Sequence, residues 1–130
     1  KNKVFKEVGL DAGALADNNI ELLHKLDNAG LRQLYKKAGM VVSLSMYEGF
    51  GIPLLEGLYY GCKAVCSDIP VYRELFGNSA VFCNPANPAD IENALLTTAS
   101  ASKTNPGELL KKYNYKDSAE IILHQMLGSK

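Results

Sequence analysis

Along this chain two hydrophobic patterns take turns: apolar residues spaced three and four apart, which suit one face of a helix, and short unbroken apolar runs, which suit a buried strand. Lys3 to Ala16 is partly helical in pattern, with Val4, Val8 and Leu15 on one face and Gly9 and Gly13 weakening it. Ile20 to Leu23 is a short apolar run after Asn18 and Asn19 and predicts a strand. Asn28 is placed to cap a helix reaching about Ala38, in which Leu31, Leu34, Tyr35 and Ala38 form the apolar stripe and after which Gly39 breaks the pattern. Met40 to Ser45 reads as a strand buried on both faces, as parallel strands are. Beyond the glycine-rich loop Glu48-Gly49-Phe50-Gly51, a helix is predicted from Pro53 to Tyr60, with proline in its first turn and Gly61 at its end.

The alternation continues. Lys63 to Cys66 predicts a strand, Pro70 to Phe76 a short helix, and Ala80 to Cys83 a further strand. Pro88 to Ala99 predicts a helix with Ile91, Leu95 and Leu96 inward. A polar loop, Ser100 to Asn105, leads to a short helix over Glu108 to Tyr113 and a last one over Lys116 to Leu127, whose stripe is Ala119, Ile122, Leu123 and Met126. Strands alternating with helices imply an α/β fold: a partial Rossmann-like parallel sheet with helices on both faces. Four predicted strands are fewer than the six of a complete doubly wound domain, so the first strands are expected upstream of Lys1. No repeat and no internal boundary is visible, so residues 1–130 are expected to be part of one domain of a longer protein, consistent with a first residue that is Lys rather than Met. A sheet edge left open by such a division invites self-association.

Composition narrows the function classes. Lys and Arg balance Asp and Glu, giving zero formal net charge, so the basic excess of a nucleic-acid domain is missing and no nucleic-acid partner is expected. No apolar run approaches the roughly twenty residues needed to span a bilayer, and no secretory signal is visible. Cys62, Cys66 and Cys83 each lie in or beside an apolar run and read as buried, reduced thiols. Their spacing, with His24 and His124 far away in sequence, does not make a zinc motif, and no metal is expected. Arg32, Lys36 and Lys37 lie opposite a helix's apolar stripe and read as a solvated face. Tyr59 and Tyr60 are expected to pack on the core with wet hydroxyls.

The stretch richest in chemistry runs from Ser45 to Gly57, between a hydrophobic strand and a helix. In doubly wound sheets the ligand crevice lies at the carboxyl ends of the strands. Glycines there expose backbone amides, and a helix starting near Ile52 and Pro53 adds partial positive charge, which together make a cradle for a diphosphate or sugar hydroxyls. A carboxylate at Glu56, in the first or second helical turn, can accept two hydrogen bonds from a ribose diol. Glu48, eight residues earlier, can accept from a donor-sugar hydroxyl or stabilise charge near a reacting centre. Spacing alone does not decide between these roles and plainer ones: Glu56 favouring a helix end, Glu48 solvated in a loop, and Phe50 packed inward in a tight connection.

The run Tyr47-Glu-Gly-Phe-Gly-Ile-Pro-Leu-Leu-Glu-Gly-Leu-Tyr-Tyr-Gly61 resembles the E-x7-E signature of glycosyltransferase family 4 and related retaining GT-B enzymes. Its neighbours agree: Leu31-x-x-Leu34-Tyr35-x-x-Ala38 before the strand, Gly61 to Pro70 with Ser67-Asp68, Glu74, and Asn84-Pro85 to Leu95. The resemblance runs from about Ile20 to Leu127. It implies that the chain is the C-terminal part of the nucleotide-sugar-binding domain, with the acceptor-binding N-terminal domain elsewhere. It implies that Glu56 binds the nucleotide ribose and that Glu48 acts at the donor sugar as the catalytic-site glutamate. By the same match, Gly49, Phe50 and Gly51 form the turn whose amides meet sugar and phosphates, Ile52, Pro53 and Leu54 the helix start near the diphosphate, and Leu26 a loop position beside the base. Two departures stand out: His24 where relatives have Gly, which alters the base pocket, and Lys63 where they have Pro, at a strand entry.

The implied reaction moves a hexose, with mannose a candidate, from a GDP- or UDP-linked donor to a glycan or lipid-linked acceptor, with retention and without metal or other cofactor. Bacterial surface polysaccharide synthesis, a cytoplasmic location and peripheral membrane association of the whole protein go with that implication. The phosphate-neutralising Arg and Lys would lie upstream, so these 130 residues alone are expected to be inactive. Two rivals remain at this point. A GT-B sugar-nucleotide epimerase would need other catalytic groups than the Glu48–Glu56 pair. A non-catalytic doubly wound regulatory or interaction domain would make both glutamates dispensable, and a receiver-like version would want acidic residues on a first strand, where Asp11 and Asp17 do not fall.

Overall fold

The computed structural model describes residues 20, 21, 23, 25–102, 107, 111 and 113. The helices expected over Lys3 to Ala16, Glu108 to Tyr113 and Lys116 to Leu127, and the residue His24, lie wholly or largely outside the described residues. The chain divides into two compact units, Lys1–Leu31 and Arg32–Lys130.

In the first unit, Ile20, Glu21 and Leu23 belong to no strand, against expectation. A strand holds only where its amides and carbonyls pair with a neighbouring strand, and an apolar run does not itself supply that neighbour. Lys25 takes a left-handed backbone (φ 53°). Asp27, not Asn28, caps the helix that follows. Its Oδ1 accepts the Gly30 amide at 2.7 Å and its carbonyl accepts the Leu31 amide at 2.9 Å. Asn28 is already helical, the first residue of α1 (Asn28–Lys37).

The second unit holds the sheet. β1 (Met40–Ser43), β2 (Lys63–Ser67) and β3 (Val81–Cys83) pair in parallel in the order β1-β2-β3, with Met40 opposite Lys63 and Val65 opposite Val81. The helices are α2 (Ile52–Tyr59), α3 (Pro70–Phe76), continued by a 3-10 turn at Gly77–Ser79, and α4 (Pro88–Ser100). The α/β class is thus as expected, with three strands rather than four among the described residues.

Alternation along β2 builds two cores. Ala64 and Cys66 face α2 and α3, where they join Leu54, Leu58, Tyr72, Leu75 and Phe76. Val65 faces the other way and joins Cys83 and Ala94 under α4. On α4 the inward residues are Ile91, Ala94, Leu95 and Thr98, while Leu96 is 63% exposed. At 100° per residue, position 96 turns well away from the stripe begun at 91, so the inward placement expected for Leu96 fails. Burial of β1 on both faces also fails. Val42 is 43% exposed, because α4 lies over β2 and β3 and covers little of β1. On the opposite face Val41 fits under α2 because residue 57 is glycine: a Cβ there would stand 2.5 Å from Val41 Cγ1. Leu34, in the stripe of α1, is exposed as well, and Tyr59 is 65% exposed rather than packed on the core.

Polar details fix the ends. Lys63 Nζ donates to the Ala99 carbonyl at 2.7 Å, placing a cation at the C-terminal end of α4, so this residue does more than alter a strand entry. Asn87 caps α4 by accepting the Ala89 and Asp90 amides. The three cysteines are buried and unbridged. Burial, and next the neighbouring Cys83, push the Cys66 thiol up to about 12, and burial raises Cys83 too. Since the thiolate is the nucleophile, a pKa near 12 leaves ~1 thiolate in ten thousand at pH 8. Iodoacetamide at pH 8 is therefore expected to leave Cys66 unmodified in the folded protein and to label it fully in guanidinium, as read by peptide mass spectrometry.

Candidate functional site

Because the three strands are parallel, their carboxyl ends share one side of the sheet, and every group singled out between Ser45 and Gly57 follows from the end of β1. The loop over 44–51 leaves β1 and returns into α2 through Gly51. Gly51 has φ 79° and ψ 44°, a left-handed conformation that costs a non-glycine residue roughly 1–2 kcal/mol. A Cβ at this buried position would stand 2.6 Å from Tyr72 Cε1 and 3.3 Å from the Phe76 ring. Two independent constraints, backbone and packing, thus demand glycine. At Gly49 an added Cβ would meet nothing within 4 Å, so its backbone lies open.

The start of α2 has no side-chain cap and no acidic residue in its first turn. Pro53 has no N–H, and the amides of Leu54 and Leu55 both turn to the Gly51 carbonyl, at 3.0 and 3.2 Å. An anion at this end would therefore meet the loop and the Gly51 and Ile52 backbone, not the second turn. The contrast is α4, whose start is occupied by Asn87 and by Asp90, a first-turn carboxylate that also accepts the Asn84 amide at 2.6 Å. An uncapped helix start at the mouth of a parallel sheet is a ready receptor for negative charge.

The predicted residues divide by environment. Glu48 is half-buried in the loop, and Glu56 is half-buried in the second turn of α2, too far along to act as a helix cap. Ile52 and Pro53 are exposed at the helix start, whereas the Leu54 side chain is fully buried in the core, which leaves it nothing but backbone to offer a ligand. Phe50 is not packed inward. It stands part-exposed, edge to face with Tyr113 at 5.5 Å. Leu26 is exposed in the first unit.

Three contacts were not visible in the sequence. Tyr35, on α1, stacks on Tyr60 with ring centroids 5.9 Å apart, and burial, followed by the Glu56 charge, pushes its hydroxyl up to about 12. Tyr72, fully buried, shares a 2.9 Å hydroxyl contact with Ser43 at the end of β1. Just past β2, Asp68 receives a bidentate Arg73, at 2.6 and 2.7 Å, and the guanidinium lies 4.2 Å above the Phe82 ring. That partner holds Asp68 below the usual carboxylate value, so the pair persists at neutral pH and is lost as the pH falls through the lowered value. The available signal for the first two was a tyrosine at a position in an apolar stripe where an aliphatic residue would have packed as well. Among the described residues no group of three or more His, Cys, Asp or Glu is placed to hold a metal ion, and no helix is long and apolar enough to cross a membrane.

Comparison with known proteins places this geometry in context. The model of the family described as glycosyl transferases group 1 matches residues 3–123. The O-antigen chain mannosyltransferase RfbU of Salmonella typhimurium is 35% identical over 78 residues, 60% of this chain and 22% of that protein. The serotype-specific mannosyltransferase WbdA of Escherichia coli is 28% identical over 107 residues, 80% of this chain and 13% of that protein. The GDP-mannose:cellobiosyl-diphosphopolyprenol alpha-mannosyltransferase of Komagataeibacter xylinus is 27% identical over 124 residues, 86% of this chain and 32% of that protein. The chain thus spans less than a third of the length of each of these relatives.

The double demand on Gly51 yields a direct test. Gly51→Ala combines left-handed strain with a clash on Tyr72 and is expected to cost about 2–4 kcal/mol, measured by denaturant unfolding. Gly49→Ala, which meets open space, is expected to change stability by less than about 1 kcal/mol.

Proposed function

Because the chain belongs to the glycosyl transferases group 1 family, we propose that its parent protein transfers mannose from GDP-mannose to a lipid-linked or growing glycan acceptor in the assembly of a bacterial surface polysaccharide, with retention at the anomeric carbon. The relatives named above are mannosyltransferases, and the name of one states GDP-mannose as donor and a diphosphopolyprenol-linked sugar as acceptor. In this reading the 130 residues are the C-terminal part of the donor-binding domain. The acceptor-binding domain and the remaining strands belong to the rest of the protein, and residues 1–130 alone are inactive. The small share of each relative that the chain covers supports this, as does the exposed Val42 beside the outer edge of β1.

The observation that carries the proposal is the second-turn carboxylate of Glu56, set one turn beyond an uncapped helix start at the mouth of the sheet. Glu56 accepts the ribose hydroxyls, the amides of Gly49 to Ile52 face the diphosphate, and Glu48 contacts the transferring sugar. As the glycosidic bond breaks, negative charge gathers on the diphosphate. Donors fixed in advance at that place lower the barrier, because they need no reorganisation. In the same reading Pro53 shapes the helix start, Phe50 presents its ring to the sugar side, and Leu54, its side chain in the core and its amide on the Gly51 carbonyl, anchors that start. The reaction draws on no metal in this account, and the protein works at the cytoplasmic face of a membrane that holds its lipid-linked acceptor.

Calorimetric titration of the full-length protein with GDP and with UDP tests the reading. Tighter binding of GDP is expected, weakened about 10- to 100-fold by Glu56→Ala, the range of a lost charged hydrogen-bonding partner. Glu48→Gln is expected to lower kcat while leaving GDP binding nearly unchanged. Failure to bind either nucleotide, or indifference to Glu56→Ala, would return the chain to the class of non-catalytic domains.

A further inference from the structure

One buried side chain meets both ends of the loop that leaves β1 and enters α2. At the departing end, Ser43 is the last residue of β1, and its Oγ lies 2.9 Å from the Tyr72 hydroxyl. At the returning end, Gly51 sits so close to the Tyr72 ring that an added Cβ would stand 2.6 Å from Cε1. Between these ends lie residues 44–50, among them Glu48, Gly49 and Phe50. Tyr72 is itself held. It is fully buried on α3, with its ring edge-on to Phe76 and the centroids 5.6 Å apart. Its neighbour on α3, Arg73, binds both oxygens of Asp68, just past β2, and the Asp68 amide donates to the Cys83 carbonyl at the end of β3 at 2.8 Å.

A loop whose amides must be gathered at the moment of binding loses affinity to the entropy of ordering them. Fixing both stems of the loop beforehand reduces that cost. Tyr72 does so with one rigid ring, whose hydroxyl holds Ser43 while its edge supports Gly51. A phenylalanine would fill the same space in the core. The hydroxyl adds the tie to Ser43, and a buried tyrosine hydroxyl, cut off from water, needs such a partner. On this basis, and resting on the reading of the 44–51 loop given above, we propose that Tyr72 is a positioning residue: it holds Ser43 and Gly51 at a set spacing, so that the amides of Gly49 to Ile52 stand ready for the donor's diphosphate. Being fully buried, it acts through the loop and touches no part of the nucleotide.

Tyr72→Phe keeps the ring beside Gly51 and Phe76 and removes the tie to Ser43. Ser43→Ala removes the same tie from a half-buried position, and it carries the test alone if Tyr72→Phe melts early. The full-length protein and its variants are titrated calorimetrically with two pairs of probes, GDP with GMP and UDP with UMP. Base and ribose are common to each pair, so the ratio of diphosphate to monophosphate affinity reports the grip on the terminal phosphate. A general loss of packing lowers both affinities and leaves the ratio in place. Wild-type protein is expected to prefer the diphosphate. Each substitution is expected to weaken diphosphate binding about three- to ten-fold and to change monophosphate binding by less than about two-fold. The double variant is expected to match the weaker single one, because the same tie is lost only once. A wild-type ratio in both single variants, or equal losses on diphosphate and monophosphate, would overturn the role of Tyr72. In that case Glu56→Ala, which removes the ribose contact, still weakens every nucleotide if the reading of the site stands. A wild-type protein that binds none of the four probes would overturn that reading, and the positioning role with it.

Discussion

Most of this structure follows from one bend. At Gly51 the chain comes back from the end of β1 and enters α2 in a left-handed conformation, in a space too tight for any side chain beside Tyr72 and Phe76. That bend sets where α2 begins, and the start of α2 faces the side of the sheet where the parallel strands end. The same helix is seated by a second close approach, Gly57 over Val41, which brings its backbone down onto β1. With both ends of the contact fixed by glycine, Leu54 and Leu58 enter the core and Glu56 is left on the flank of the helix, half-buried and within reach of α1.

The residues around this bend share a division of labour that burial explains. Apolar side chains on one side of α2 close the core with Cys66, Tyr72 and Phe76. The polar group at the end of β1 is tied down by a partner from another element: Ser43 meets the Tyr72 hydroxyl at 2.9 Å. Half-buried polar groups gain most from such partners, because a lost partner leaves a group that water reaches poorly. The α4 start, occupied by Asn87 and Asp90, shows what a helix end looks like when its own side chains satisfy it. The α2 start, with glycine and proline and no acidic residue, is the end of these two that can receive negative charge from outside.

The sequence made the order from β1 to α4 legible because each element is punctuated: Gly39 and Gly61 close helices, and Pro53, Pro70 and Pro88 stand in first turns. It also made Glu48, Gly51 and Glu56 legible as a unit, since they lie within one strand-loop-helix segment. Ile20 to Leu23 misled because an apolar run carries no record of which strand will pair with it. Asp27 and Asn28 are both good caps, and the choice between them rests on one hydrogen bond to Gly30. Leu96 was misplaced because three apolar residues on α4 fit a stripe only when the helical phase is known. Tyr35 with Tyr60, and Ser43 with Tyr72, are contacts between residues 25 and 29 positions apart, and no local pattern encodes them.

The central claim is geometric, and a crystal structure of the full-length protein with GDP bound addresses it most directly. The account predicts the ribose hydroxyls within hydrogen-bonding distance, ~2.6–3.2 Å, of the Glu56 carboxylate, with the diphosphate against the backbone of Gly49 to Ile52. GDP seated elsewhere, with Glu56 bonded to nothing of the nucleotide, would contradict it.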